Sequence, residues 1–349
     1  MISEKELAEI RDWLHRSQNP VFFFDNDVDG LSSFLLLRRY INTGKGVAIK
    51  NPSLNNTYAR KLHELKPDVV FILDIPIVDK DFLDECKQLG MPVVRIDHHP
   101  IEEASKNDEN VHYYDPLANK EASSEPVSYW CYKVTKKDEW IAMAGCISDW
   151  FVPDFAEEFE KNYSDIFELK KPEEILFETE FGKLIRILNF ALKDSTSNVI
   201  KMLKILWDVK DPYEILQENK KYEDIRKRYE HLKKKYDLLL EKAIDMGKKE
   251  KGKLFYFEYG SDFGMSADLA NELLYLFKEK EVFVIARVKD SIAKVSIRGR
   301  GNRDMRKLVE NALNGTGGKG GGHEHACGVT IGTDDLKKFK KNIEEILKD

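Results

Sequence analysis

Cysteine is scarce and unpatterned: four residues, Cys86, Cys131, Cys146 and Cys327, with no CxxC spacing. That argues against a disulfide scaffold and reads as reduced, buried thiols in a cytoplasmic protein. Long apolar runs are missing as well. None approaches the roughly 20 residues needed to cross a bilayer, and the opening MISEKELAEIRDWLHRS has the spacing of an amphipathic helix rather than of a signal peptide. No membrane partner is expected. Nor is there an excess of positive charge: 56 Lys and Arg against 62 Asp and Glu leave a net charge of −6. No global basic field draws in nucleic acid, although local basic strips and cation-mediated phosphate binding stay compatible with that balance. Glutamine is nearly absent, and with abundant Lys and Glu this leans towards a thermophile composition.

What is present is a 349-residue chain, 42% hydrophobic and 34% charged, long enough for about two globular domains. Its centre of gravity is VFFFDNDVDG at 21–30. Four apolar residues read as a buried strand, bounded by Pro20 and Gly30, and run into Asp25, Asp27 and Asp29. Two further apolar runs end the same way: residues 69–73 in Asp74, and residues 92–96 in Asp97-His98-His99-Pro100. Helical spacing fills the intervals at 31–40, 58–65 and 79–88. Alternating strands and helices predict a parallel sheet covered on both faces, with sites beyond the carboxyl ends of the strands. The apolar IAMAGCI then leads into Ser148-Asp149-Trp150. Residues 155–206 are mostly helical in pattern.

Carboxylates packed so densely repel one another, and a divalent cation is the usual compensation. Oxygen-rich ligation with one or two imidazoles suits Mn²⁺ or Mg²⁺ better than a structural zinc site. Two such ions about 3.5–4 Å apart are a known arrangement for phosphoester hydrolysis. Taken singly, each Asp is as well read as a helix cap or turn residue, and each His as a satisfied polar group. Only their joint pattern points to chemistry.

Further on, Tyr222, Ile225, Tyr229, Leu232, Tyr236, Leu239, Ala243 and Met246 follow three-four spacing over roughly three heptads. Two readings fit: a helix laid on its own domain, or a coiled-coil-like arm that forms a homo-oligomer or docks a repair or replication partner. After Gly247 and Gly252 a second α/β unit is predicted, with strands at 254–257, 282–288 and 293–297, helices at 267–277 and 305–313, a glycine-rich stretch from Gly315 to Gly328, and a closing helix at 334–347.

The ordered set DNDVDG, LD at Asp74, DHHP at 97–100 and SDW at 148–150 resembles the four motifs of the DHH phosphoesterase superfamily. GGGH (Gly320, Gly321, Gly322, His323), with VSIR ending at Arg298 upstream, resembles the DHHA1 substrate-binding domain. The first motif is similar to the RecJ-type nuclease branch. The resemblance covers about the first 150 and the last 100 residues. It implies an N-terminal parallel-sheet catalytic domain (1–190), a helical linker with the coiled-coil-like helix (191–250) and a smaller C-terminal α/β domain (251–349). It implies that Asp25 and Asp74 hold one metal, and that Asp27, Asp74, His98 and Asp149 hold the other. His99 would face the phosphate as donor or acid, and Asp97 would orient the histidines. Asp29 would orient a water or cap the helix after Gly30, support being favoured over ligation. Gly320–322, His323 and Arg298 would bind the substrate phosphates, with glycine backbone approaching closely and arginine offering a bidentate fork. A glycine run taken alone reads as a linker. His325 and Cys327 near His323 are too few for a zinc site.

One departure stands out. Some branches, pyrophosphatases among them, carry a histidine four residues before the first Asp, where this chain has Val21. That steers the expectation away from pyrophosphatase and leaves the first ion one imidazole short. The implied activity is a metal-dependent exonuclease on single-stranded DNA or RNA, releasing mononucleotides. The compact layout resembles short archaeal RecJ-like proteins of the Hef-associated nuclease type, which implies 3′→5′ polarity. Alternatives are a phosphodiesterase for oligoribonucleotides or a cyclic dinucleotide, and a replication or repair factor that combines catalysis with scaffolding.

Overall fold

The computed structural model describes residues 1–50, 53–99, 109–118, 122–261 and 264–348; Pro100 of the DHHP motif lies outside them. The chain divides into two compact units, Met1–Tyr229 and Glu230–Asp349.

In the first unit the apolar runs become β1 (Val21–Asp25), β3 (Val70–Leu73) and β4 (Val93–Ile96), joined by β2 (Lys45–Ile49) and β5 (Val111–Tyr114). All neighbouring pairs are parallel, in the order β2-β1-β3-β4-β5. Strands buried on both faces need apolar residues at every position rather than at alternate ones, and VFFF supplies them. Val21 and Phe23 join one core with Val70, Ile72 and Phe82. Phe22 and Phe24 turn the other way: Phe22 stacks on Phe71 at 4.8 Å, and Phe24 on Phe34 at 5.0 Å. In a sheet of this order the connections reverse direction between β1 and β3, which opens a crevice at their carboxyl ends. Asp25 closes β1 and Asp74 follows β3, so topology alone brings them to that crevice.

Two local expectations are corrected. The helix after the acidic loop starts at Val28, not after Gly30, and Gly30 sits inside its first turn. A side chain there would meet the backbone of Asp25 at 2.5 Å, so the glycine serves close helix–strand approach rather than a turn. The edge strand β5, VHYY, carried no clear signal because it lacks an apolar run: His112 is exposed, Val111 and Tyr113 are half-buried, and only Tyr114 is buried.

The second unit has a mixed sheet, β6 (Leu254–Gly260), β7 (Val282–Lys289), β8 (Ile292–Gly299), β10 (Ala326–Gly332) and β9 (Lys319–Gly322) in that order. Only the β6–β7 pair is parallel. Its core joins Val284, Val295, Ile297 and Val329 to Met305, Leu308, Phe339 and Ile343 of two helices. The glycine-rich stretch is therefore not a loop throughout: Gly320, Gly321 and Gly322 form an edge strand paired with Val329, Gly328 and Cys327.

The heptad seam lies on the helix Glu223–Gly247, preceded by Tyr222. Tyr222, Ile225, Tyr229, Leu232, Tyr236 and Ala243 are buried within the chain. Tyr222 donates to Glu214 at 2.6 Å and Tyr229 packs on Phe190. In the second unit Tyr236 donates to Glu272 at 2.6 Å. The docking-arm reading is corrected accordingly: six of the eight stripe residues are already buried by their own chain, Leu239 and Met246 being half-buried, and two of the three tyrosines, unusual in a tight coil, hydrogen-bond within it. Among the described residues no helix is long and apolar enough to cross a membrane.

Candidate metal centre

Asp74 is the hub. It follows β3 with φ of 59°, a left-handed conformation that Asp tolerates better than most residues. Its N–H still donates to Ile96 at 3.0 Å, so the strand pairing runs one residue further while the side chain is redirected. The residue is 2% exposed, and its Oδ1 has no hydrogen-bond partner. Around that oxygen stand His98 Nε2 at 3.5 Å and His99 Nδ1 at 3.7 Å. His98 Nε2 is also 3.6 Å from Asp149 Oδ2. His98 Nδ1 meets the Ser124 carbonyl at 3.2 Å; a proton held there turns the Nε2 lone pair towards the two carboxylates. Asp74, His98 and His99 could share one ion, as could Asp29, His98 and Asp149.

The loop carboxylates divide differently from expectation. Asp27, not Asp29, caps the following helix, accepting from the Gly30 N–H at 2.9 Å. Asp29 is 2% exposed and reaches across to the helix Val127–Thr135, accepting from Val127 N–H at 2.8 Å and Ser128 N–H at 2.9 Å. Both its oxygens are thus committed to backbone donors, an anchoring task in place of the expected water-orienting or local capping one. Gly145 lets the helix Glu139–Ser148, which delivers Asp149, pack against Ser128 and Ser32; a side chain there would meet Ser128 Oγ at 2.3 Å.

Asp97 contacts His99 but not His98: its Oδ1 meets His99 Nδ1 at 2.8 Å and accepts from the His99 N–H at 3.2 Å. Its other oxygen takes Arg95 Nη2 at 2.8 Å. Arg95 escaped the sequence reading, although a lone arginine inside the apolar VVRI was the available signal.

Electrostatics agree with a cation site. Burial first, then the Asp27 charge, pushes the Asp25 carboxyl up to about 8. Asp74 is raised well above the carboxylate range by burial and by Asp29, Asp27, Asp25 and Asp149. Asp149 keeps 39% of its side chain in solvent, yet lost hydration where it faces the cluster, with the Asp29 charge, pushes it up to about 7. Burial pulls His98 down, but the Asp149 and Asp29 charges outweigh it and raise it. Burial pushes Asp97 up, but the His99 hydrogen bond and Arg95 hold it below the usual range. An orphaned buried carboxylate oxygen, the His98 Nε2 beside it and mutually repelling carboxylates make a hard-cation donor set. Of the residues expected to hold metal, Asp74, His98 and Asp149 fall among the described groups that could share an ion, whereas Asp25 and Asp27 fall in neither.

A pH dependence follows. Asp25 has a folded-state value of about 8 against 3.8 ordinarily, so between those values the folded protein binds more protons than the unfolded chain. Metal-free stability therefore falls as pH rises through that window. Mn²⁺ displaces those protons, so the metal-induced rise in melting temperature is expected to be small near pH 5 and about 5–10 °C near pH 8. Thermal melts with and without Mn²⁺ across that range check it; a gain independent of pH would contradict the assignment.

In the second unit Arg298 of β8 faces Ala326 of β10, whose neighbour Cys327 pairs with Gly322. The guanidinium is not an unengaged fork: Nε donates to Asn271 Oδ1 at 2.6 Å and Nη1 to the Ile297 carbonyl at 3.0 Å. Gly320, Gly321, Gly322 and His323 are exposed. Gly322 has φ of 147°, and a side chain on it would meet the Ala326 carbonyl at 2.3 Å, whereas one on Gly321 would meet nothing within 4 Å. Cys327 Sγ donates to the His323 carbonyl at 3.3 Å. Among the described residues no ligand cluster forms around His323, His325 and Cys327.

Residues 21–147 match the DHH family N-terminal domain, and residues 251–349 match the DHHA1 domain. Asp149 lies just beyond the first match. No curated protein matches in sequence. In fold the chain is similar to Thermus thermophilus RecJ in complex with Mn²⁺ (TM-score 0.69, 14% identity, 98% of this chain and 54% of that one). The chain thus spans about half the length of that protein. It is similar also to the DHH domain of a member of the S1p family of ribosomal proteins (0.70, 16%, 99% and 90%). A third likeness is to PggH from Vibrio cholerae, a pGpG-specific phosphodiesterase (0.52, 15%, 94% and 99%).

Proposed function

We propose that this chain, which belongs to the DHH/DHHA1 superfamily of phosphoesterases, is a single-strand-specific exonuclease of DNA or RNA. It releases mononucleotides, 3′→5′, in repair or replication in the cytoplasm. It uses two divalent ions, Mn²⁺ before Mg²⁺. The observation that carries the reading is the unpartnered, buried Asp74 Oδ1 with His98 Nε2 at 3.5 Å, itself 3.6 Å from Asp149. When bound, the ions supply Lewis acidity and an activated water. The chain's own residues do the rest. Asp74 and His98 fix the position of the reacting phosphate's counter-charge. Asp97 holds His99 by Nδ1 and leaves Nε2 to face the phosphate, where it donates when the imidazole is protonated. Asp29 braces the helix Val127–Thr135, next to Ser124, which orients His98. Arg298, Gly320, Gly321, Gly322 and His323 engage substrate phosphates. Arg298 does so after exchanging Asn271 for the ligand, or through Nη2.

The resemblance to RecJ nucleases supports a polymeric substrate, and that to PggH supports a small one. Single strands labelled at the 5′ or 3′ end, DNA and RNA, and dinucleotides, each with Mn²⁺ or Mg²⁺, decide between them. A Mn²⁺-dependent ladder of mononucleotide products running from the 3′ end is expected. Activity confined to dinucleotides would replace the exonuclease by a small-substrate phosphodiesterase.

A further inference from the structure

Among the described residues Asp25 belongs to neither group that could share an ion, and position 21, four residues before it, is a buried strand valine. We propose that Lys193 is a phosphate-binding residue of this site, placed beside Asp25, where it offsets carboxylate charge in the resting protein and meets a substrate phosphate during turnover. The proposal rests on the phosphoesterase reading above.

The placement follows from register. Asp25 at the end of β1 pairs with Ile49 at the end of β2. The next residue, Lys50, donates its Nζ to the Asp194 carbonyl at 2.6 Å. The segment that closes the helix Glu180–Leu192, with Lys193 as its C-cap, is thereby tied to the strand end beside Asp25. The Lys193 charge reaches Asp25 and opposes part of the rise caused by burial and Asp27.

The neighbouring carboxylate is not available to neutralise Lys193. Asp194 pairs with the Arg228 guanidinium, accepts from the Ser195 N–H at 2.6 Å and accepts from Asn198 Nδ2 at 3.0 Å. Among the described residues Lys193 is half-buried, and its side chain has no hydrogen bond or ion pair. A helix C-terminus favours a cation, and that alone would account for a lysine at 193. It does not account for the lashing of this segment to the end of β2, beside the end of β1. An unpaired ammonium, a strongly hydrated point charge on a flexible stem, is suited to a phosphate oxygen. Residue 193 also lies outside both matched family segments.

The test uses the full-length protein, Lys193→Met and Lys193→Arg. Mn²⁺ binding is titrated by calorimetry without nucleic acid, and KM and kcat are measured on a labelled single strand at several salt concentrations. Lys193→Met is expected to raise KM about 10- to 100-fold with a smaller change in kcat. It should flatten the slope of log KM on log salt by about 0.7 and bind Mn²⁺ about threefold or more tightly, since a competing positive charge is gone. Lys193→Arg is expected to keep parental values. A Met variant with parental KM and salt slope overturns the proposal, and so does one whose KM rises while Mn²⁺ binding weakens, which is the signature of damage. If Lys193→Met melts early, the Arg variant decides: parental behaviour supports a charge role, and Met-like behaviour overturns it. If the parent cleaves no strand or dinucleotide, the proposed function fails, and calorimetry still decides the placement: unchanged Mn²⁺ affinity in Lys193→Met overturns it, tighter affinity supports it.

Discussion

Asp74→Asn is expected to lower phosphodiester cleavage by roughly a hundred- to thousandfold and, at the same time, to raise the melting temperature of the metal-free protein. The activity loss follows from position: its unpartnered Oδ1 lies 3.5 Å from His98 Nε2 and 3.7 Å from the His99 ring, and loss of a single preorganised charge at a reacting centre carries a penalty of that order. The stability gain follows from the other ledger. Burial and four neighbouring carboxylates hold Asp74 well above its ordinary range, so ionising it opposes folding. An amide of the same shape removes that cost and suits the left-handed backbone, φ of 59°, as well as Asp does. The gain is expected to be a few degrees at pH 8 and to shrink as pH falls and the parent carboxyl takes up its proton. Added Mn²⁺ should stabilise the parent and leave the variant nearly unmoved. Cleavage assays and paired melts check this; a variant that melts lower than the parent at pH 8 without metal would show that Asp74 is held by something other than a cation.

The opposing signs of these effects explain what was legible in the sequence. Three apolar runs each ending in a carboxylate at Asp25, Asp74 and Asp97 announced a parallel sheet with a charged rim, because strand burial and helix period are local patterns. That the rim converges needed the order β2-β1-β3-β4-β5, and strand order is a non-local property that no spacing within the chain encodes. The same limit hid the work of Asp29. Its donors, Val127 and Ser128, are about a hundred residues away, whereas Asp27 looked like a ligand and also proved to be a local cap. Gly320, Gly321 and Gly322 have a linker's composition, and only the partner strand β10 makes them an edge strand. The seam from Tyr222 to Met246 failed as a docking arm for a related reason: a three-four apolar period looks identical whether the stripe meets another chain or its own.

Arg95 is where the fold and the chemistry are joined, and its loss is expected to be the most destabilising single change around the centre. The side chain is 2% exposed and donates from Nη2 to the Ile75 carbonyl at 2.7 Å, the Pro76 carbonyl at 3.0 Å and Asp97 Oδ2 at 2.8 Å, with its guanidinium over the Tyr113 ring. Asp97 is fully buried. Arg95→Met would leave that carboxylate with only the His99 ring and backbone donors, and removing one member of a buried pair costs about 3–5 kcal/mol, or roughly 10 °C in a domain of this size. Asp97 would then lose the charge that holds it ionised, and with it the fixed acceptor for His99 Nδ1; loss of such an orienting contact typically lowers activity about 10- to 100-fold. The two consequences separate in a double-mutant cycle. Pairing Arg95→Met with Asp97→Asn removes the uncompensated charge, so stability should return most of the way to parental while activity stays low, because asparagine cannot hold the imidazole as an ion partner does. Recovery of both together would mean that Asp97 serves the fold alone; recovery of neither would mean that Arg95 acts chiefly through the two carbonyls that follow Asp74 in the chain.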